Sequence, residues 1–556
     1  MNDYRKQTRS AFLRAIRKAF VLSRESEKQG IPLTELMQQA VEKDVLMGRR
    51  TLLANAAKAG LVIGLGGMAQ ACQKVIDPSL NGTKNNEPAL LGSNKTQPSI
   101  AIIGAGIAGL NCAYQLKKQG IYSLVYEGSP SAGGRIVTKT NLIAQGTYTE
   151  CGGEFIDTGH TNMRNLATEF GLPLADTFDK SEDGYDRDSF WIDGRLYSEE
   201  EVMEAFTPYA KRIATDIQTL PNLFGFNNYN DTVLKFDQLS ISDYFDSIGM
   251  PVSSFLRIGL DGAYNTEYGL ETSEQTAINF LYLFTLNPGN NKYQVFGLSD
   301  ERFKVIGGNQ QITNTLASRL GSQVILDQKL VKISRNNNNK YLLYFENGNL
   351  VIADLVVMTL PFSVLRNVDT NDLELPAWKT NAINNLGYGT NAKLLLGFNS
   401  RVWRNYQSSG YIFTNGNTTN PTNFIQTGWD NTAMQPGTNG GFTVYAGGNQ
   451  GASLSVANTN NYLSQLDTMW PGCLAAYNGM AKLIHWPNYQ WTLGSYSCWK
   501  VGQVTTISGA EILPVDNLYF AGEHTSALNQ GFMEGAAATG ATVASKLAKL
   551  VLTNKG

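Results

Sequence analysis

The apolar positions of this 556-residue chain fall into short, sharply bounded runs. The run Ile100–Ile103 drops into Gly104-Ala-Gly106-Ile-Ala-Gly109 and a helical stretch, and a second run, residues 123–126, ends in Glu127. Strand, glycine-rich turn, helix and second strand predict a βαβ unit. Residues 174–299 mix helical patterns with aromatic-rich loops. Strand-like runs return at 324–326, 331–334, Tyr341–Phe345 and 350–359, with the asparagine tract 336–339 as a hairpin turn. Residues 393–491 are rich in Asn, Gly, Thr and aromatics. The chain closes with a strand, Leu518–Phe520, then Gly522-Glu523-His524-Thr525 and a small-residue helix over 532–550. Glycine-rich segments at both ends predict an α/β fold, with a Rossmann-like nucleotide domain assembled from the discontinuous segments 98–174, 300–380 and 489–556. An α+β domain that receives the substrate, 175–299 and 381–488, is expected to interleave with it.

Composition narrows the chemistry. Hydrophobic residues make up 42% and charged residues 17%, a globular balance. A net charge of −2 gives no sign of a nucleic-acid partner. Five scattered cysteines and three histidines predict neither a disulfide framework nor a metal site.

The predicted fold starts almost a hundred residues into the chain. Arg49-Arg50, a mildly apolar stretch from Leu52 to Met68, and Ala69-Gln70-Ala71 occur in the order of a twin-arginine export signal. Residues 1–72 are therefore expected to be an extension plus signal, read by the twin-arginine export machinery. Residues 73–97 are expected to be a linker and the protein to be exported, periplasmic or extracytoplasmic. The apolar run is short and glycine-rich for a permanent span, and lipidation of Cys72 is a minor alternative. The basic stretch 1–26 predicts an amphipathic helix.

The glycine loop predicts a dinucleotide. Gly104 permits the tight turn, Gly106 lets the backbone approach a pyrophosphate, and Gly109 lets the helix pack against the sheet. The helix begins at Ile107 and Ala108, with its open N–H groups and positive dipole end toward the phosphates. Glu127 stands where a carboxylate accepts ribose hydroxyls.

Beyond Glu127 come Gly133-Gly134-Arg135 and Glu150-Cys-Gly152-Gly153-Glu154-Phe155. Together with the βαβ unit, these resemble the flavin-containing amine oxidase family. The likeness is strongest over 99–176 and 493–547, and weaker stretches, 303–320 and 385–398, follow in the expected order. The resemblance implies FAD as the cofactor. Arg135 would lie beside its phosphates, Gly152-Gly153 and Glu154 near its isoalloxazine ring, and Leu330 near its adenine. Gly522 and Glu523 would meet the pyrophosphate-ribityl region, and Phe532-Met533 would open the last helix toward the flavin. Lys393 matches the lysine that holds a water against flavin N5. A lysine flanked by Leu394–Leu396 on a buried-looking strand needs a reason. Tyr496 and Phe532 match the two aromatic walls of the substrate cage, and Trp499 is a further pocket candidate. Ser495 stands where some monoamine oxidases carry the cysteine that attaches FAD, so non-covalent FAD is expected.

L-amino acid oxidases of this family commonly carry an arginine shortly after the paired glycines; here Glu154 follows them and Arg164 is about two helical turns on. The expectation is an oxidase of primary amines that uses O2 and yields a carbonyl compound, ammonia and hydrogen peroxide. An L-amino acid oxidase, with Arg257 reaching the pocket, is the first alternative, and a flavin desaturase or isomerase the second. A homodimer is allowed for.

Overall fold

A computed structural model describes residues 11–33, 35–37 and 97–553, except 183, 187–188, 283, 285–299 and 417–424. Residues 1–20 and 98–556 form one compact unit and residues 21–97 a second. The described part of the second unit continues the helix Ala11–Gln29, which ends at Gly30. The twin-arginine segment and the linker lie outside the described residues. Among the described residues no helix is long and apolar enough to cross a membrane.

Five short strands, drawn from three separated segments of the sequence, make one parallel sheet. Its order is Leu518–Phe520, Leu355–Met358, Ile100–Ile103, Leu124–Tyr126, Val324–Ile325. Ile100–Ile103 is central and buried along its whole length, as its unbroken apolar run requires. The helices Ile107–Lys118 and Met533–Thr553 pack together in the same core, and the Asn111 amide donates to the carbonyl of Ala537 across them at 2.8 Å. Small residues in the last helix allow this close crossing. All five strands come from 98–174, 300–380 and 489–556.

The run 350–359 is two strands rather than one. Leu350–Ala353 pairs antiparallel with Tyr341–Phe345 in a three-stranded sheet, and Leu355–Met358 joins the parallel sheet. Asp354 makes the break, because its carboxylate accepts hydrogen bonds from the Ser99 N–H and hydroxyl at 2.8 Å each. The tract 336–339 closes a hairpin between Leu330–Arg335 and Tyr341–Phe345, with Asn339 at φ +58°.

The largest sheet has seven strands, in the order Tyr477–His485, Ala392–Phe398, Gly440–Ala446, Thr427–Asp430, Ile412–Thr414, Phe190–Ile192, Arg195–Tyr197. Ala392–Phe398 is buried at every position. Residues 11–20 belong to this first unit. Phe12 stacks on Phe413 at 5.1 Å, meets Phe190 edge-on at 5.7 Å, and fills the space beside Gly259. Lys18 pairs with Glu199 at 3.0 Å. Residues 11–20 of the helix expected near the N-terminus are thus packed into the first unit, and a cut after Ala71 would sever them from the chain that seats them.

Candidate active site

A cavity of about 1010 Å³ opens at the carboxyl ends of the parallel strands and reaches the seven-stranded sheet. Open α/β sheets bind ligands at that edge. Gly104, Gly106, Ile107, Ala108, Glu127, Gly134, Arg135, Gly152, Gly153, Glu154, Leu330, Lys393, Tyr496, Gly522, Glu523, Phe532 and Met533 all line it. Gly109 does not. A Cβ there would come within 2.0 Å of the Gly104 carbonyl oxygen, so its glycine is what lets the helix start under the loop.

At the nucleotide end, Glu127 fixes the loop. Its carboxylate accepts from the backbone N–H of Ala105 at 2.6 Å and of Ser129 at 2.9 Å. Each oxygen retains a lone pair for a hydroxyl. The helix start at Gly106 has no side-chain cap, so the N–H groups of its first turn are left for an anion. A Cβ at Gly106 would meet nothing of the protein nearer than Gly134 Cα at 4.0 Å, and would take up cavity space instead. These features fit a dinucleotide cofactor.

Arg135 donates to Glu523 at 3.0 Å and to the carbonyl of Ser495 at 2.7 Å. Glu523 also accepts from the Ser497 hydroxyl at 2.8 Å and the Gly531 N–H at 2.9 Å. Burial pushes its carboxyl up, but Arg135, His524 and the Ser497 hydrogen bond outweigh that and hold it below the usual carboxylate range. Glu523 therefore ties the loop 495–497, Arg135 and the start of the last helix together. His524, just behind it, is buried and, among the described residues, neither ring nitrogen has a hydrogen-bond partner; burial lowers its imidazole to about 4.

The paired glycines have a reason in the protein itself. A Cβ at Gly152 would lie 1.9 Å from the Arg135 carbonyl oxygen, and one at Gly153 2.7 Å from the Met533 side chain.

Lys393 lies on the buried strand Ala392–Phe398, opposite Tyr445. Its Nζ donates to the carbonyls of Glu150 at 3.1 Å and Gly152 at 3.0 Å, and to the carboxylate of Glu154 at 2.9 Å. Trp429 covers it at 5.4 Å. The other oxygen of Glu154 meets Lys304 at 3.4 Å. Burial would raise Glu154, but Lys393 and Lys304 hold it below the usual range. Glu150, buried in the same floor and accepting from the Asn309 N–H and the Thr138 hydroxyl, is pushed by burial up to about 7.

Tyr496 sends its hydroxyl to the carbonyls of Thr266 and Glu267 at 3.1 and 2.8 Å, at the C-terminal end of the helix Phe255–Tyr268. Its hydroxyl also lies 3.0 Å from that of Tyr445. Phe532 meets the His160 ring edge-on at 5.1 Å.

Two expectations are corrected. Trp499 is buried but does not line the cavity. Arg257 does not reach it either, because Asp246 and Asp261 hold its guanidinium. Glu154 lines the cavity as expected of a residue near the cofactor, and both of its oxygens also meet lysines, Lys304 and Lys393. Lys304, Trp429, Tyr445 and Glu267 were not anticipated. Lys304 and Glu267 carry no local signal, since what they meet is far away in sequence.

The fold and cavity define an α/β protein with a site suited to a dinucleotide at the carboxyl edge of its parallel sheet. The family model for flavin containing amine oxidoreductase matches residues 107–548, and the chain belongs to that family. It is 25% identical to a probable polyamine oxidase of Arabidopsis thaliana over 481 residues, 83% of this chain and 89% of the relative. It is 23% identical to a putative L-amino-acid oxidase of Bacillus subtilis over 511 residues, 83% of this chain and 96% of the relative. Among solved structures, cyclohexylamine oxidase from Brevibacterium oxydans shares the fold with a TM-score of 0.71 at 19% identity, covering 82% of this chain and 100% of that one. Putrescine oxidase shares it with a TM-score of 0.68 at 19% identity, covering 82% and 99%. Membership makes this chain an oxidoreductase and carries the expectation of FAD.

Proposed function

We propose that the protein is a FAD-dependent oxidase of primary amines. One observation carries this reading. Among the described residues lining the cavity, Arg135 is the only arginine, and it is committed to Glu523 and the Ser495 carbonyl. In this reading its remaining donors go to the cofactor phosphates, which leaves no arginine fork for a substrate carboxylate. Aromatic faces from Tyr496, Tyr445, Trp429 and Phe532 stand in the same cavity, with Glu267 beside them.

Glu127, the open helix start and Arg135 would hold the dinucleotide part of FAD, and Leu330 its adenine. Ser495 offers no thiol for attachment, and Cys498, next along, is buried off the cavity, which supports non-covalent binding. FAD held there would supply a two-electron acceptor for oxidation of the carbon bearing the amine, with O2 as the final oxidant and hydrogen peroxide as its product. Tyr496 and Phe532 wall the substrate and orient its α-carbon. Glu267 draws a second cationic group, which favours diamines over monoamines. Lys393 holds a water on the cavity side.

The test is peroxide release by the purified yellow protein against monoamines, diamines and L-amino acids in air. Peroxide is expected with amines and not with L-amino acids. Turnover of L-amino acids would overturn the reading and require another carboxylate anchor.

A further inference from the structure

The strip of chain that follows the strand Tyr148–Glu150 is held by side chains from elsewhere. Lys393 Nζ donates to the carbonyls of Glu150 and Gly152, and the Trp486 indole N–H donates to that of Cys151 at 3.2 Å. The next two carbonyls share one donor group. The Asn309 amide nitrogen donates to the carbonyl of Gly153 at 3.1 Å and to that of Glu154 at 2.7 Å. Every carbonyl from Glu150 to Glu154 thus has a side-chain donor, and a single asparagine takes the last two.

Asn309 is fully buried and does not line the cavity. It stands just before the helix Gln310–Leu320, where an asparagine commonly caps its own helix, yet its side chain makes no capping hydrogen bond. Its Oδ1 accepts from the Val305 N–H at 2.9 Å instead, which fixes the other end of the amide as the donor. Its own N–H donates to Glu150 Oε1 at 2.7 Å, so the residue is locked from both sides. A trans peptide sets its N–H opposite to its C=O. With the carbonyls of Gly153 and Glu154 on Asn309, the N–H groups of Glu154 and Phe155 point away from it. Glu154 and Phe155 line the cavity. No carbonyl of the described residues accepts from either N–H. Two successive backbone donors on a cavity wall make a seat for an acceptor atom that carries negative charge.

We propose that Asn309 is a positioning residue: it sets the sense of the peptides 153–154 and 154–155, so that the N–H groups of Glu154 and Phe155 face the isoalloxazine of bound FAD. The acceptor edge of that ring gains negative charge on reduction, and hydrogen bonds to a charged acceptor are the stronger ones. The two donors therefore favour the reduced cofactor over the oxidised one. No covalent bond changes and no proton is transferred. This inference rests on the FAD reading given above, and the experiment separates the two.

The first measurement needs no variant. Amide hydrogen exchange, read by mass spectrometry on peptides spanning 150–156, compares the apoprotein with the FAD-loaded protein. The Glu154 and Phe155 amides are expected to exchange fast in the apoprotein and about ten-fold or more slower with FAD. The second measurement is the two-electron potential of bound FAD, by equilibration with a reference dye. Asn309→Asp keeps the acceptor for Val305 and turns the donor end into another acceptor. It is expected to shift the equilibrium about ten-fold toward the oxidised cofactor, a potential about 30 mV lower. Asn279→Asp is the comparison, because Asn279 is equally buried and its amide holds the Trp499 carbonyl away from the cavity. It is expected to lower stability and leave the potential where it was. Equal exchange of the two amides with and without FAD would overturn the proposal, and decides the matter even where Asn309→Asp fails to fold. An unchanged potential in a folded Asn309→Asp would overturn it, as would the same shift in Asn279→Asp. A chain that takes up no FAD would sink the cofactor reading and the proposal together. A yellow protein inert to every amine, yet with the exchange and potential changes intact, would sink the amine-oxidase reading and leave the proposal standing.

Discussion

The two ends of the cavity use buried carboxylates in opposite ways. At the nucleotide end, the Glu127 carboxylate accepts, among the described residues, from two backbone N–H groups, those of Ala105 and its near neighbour Ser129. At the lysine end, Glu154 meets two side-chain ammonium groups from strands far along the chain. The first carboxylate fixes the shape of a loop; the second balances the charge of two buried ammonium groups. Loss of Glu127 should therefore appear as loss of cofactor binding, and disturbance of Glu154 as altered chemistry with the cofactor still in place.

The largest effect is expected from Lys393→Met. It should slow reoxidation of the reduced protein by O2 about 10²–10³-fold, the usual cost of one well-placed donor, while FAD affinity stays within a few-fold. Stopped-flow traces and a fluorescence titration of FAD measure the two separately. A large loss of FAD affinity would erase the distinction between the ends.

Acid should act on the ends with opposite sign. His524 sits behind the nucleotide end, facing Glu523, Arg135 and Lys379, and burial lowers its imidazole from 6.5 to about 4. Its folded form stays neutral where an unfolded histidine takes a proton. The stability it contributes is complete above pH 6.5 and is lost as pH falls toward 4, by about 3 kcal/mol in all. Glu150, at the lysine end, is raised by burial from 4.5 to about 7, so its contribution is complete below pH 4.5 and lost as pH rises through 7. Denaturant melts of the parent and of His524→Gln at pH 7 and pH 5 should differ in slope by the His524 share. Identical slopes would show that the buried ring does not stay neutral.

Glu127→Ala comes next. It strands two buried N–H groups, at about 1–3 kcal/mol each, part of which the bound nucleotide makes worse or repairs. FAD dissociation should rise about 10²-fold, with reoxidation of the saturated protein nearly unchanged. The smallest effect is expected from Glu267→Gln, which should raise KM for a diamine about ten-fold and leave a monoamine alone. A uniform rise for both would remove Glu267 from substrate selection.

What could be read from the sequence follows the same division. The glycine loop, Glu127 and the strand Ile100–Ile103 interact within one βαβ unit, so their spacing alone predicts their geometry. Lys393 announced itself by its company, a lysine in an apolar strand. Its partners did not, because Glu154 lies 239 residues from Lys393 and 150 from Lys304, and the three meet only where the segments that carry them pack together. The run 350–359 looked continuous because its apolar pattern is continuous, and the Asp354 break is visible only once Ser99 is beside it. Arg257 and Trp499 were plausible by residue type alone, but their own neighbours in the helical region had already claimed them.

The seat of Phe12 sets an order in time. The residues that form it, Phe190, Gly259 and Phe413, leave the ribosome long after Phe12 itself. At about 5–20 residues per second, the wait is tens of seconds. The first helix made is thus among the last to be seated, and it travels through most of synthesis with its apolar face uncovered.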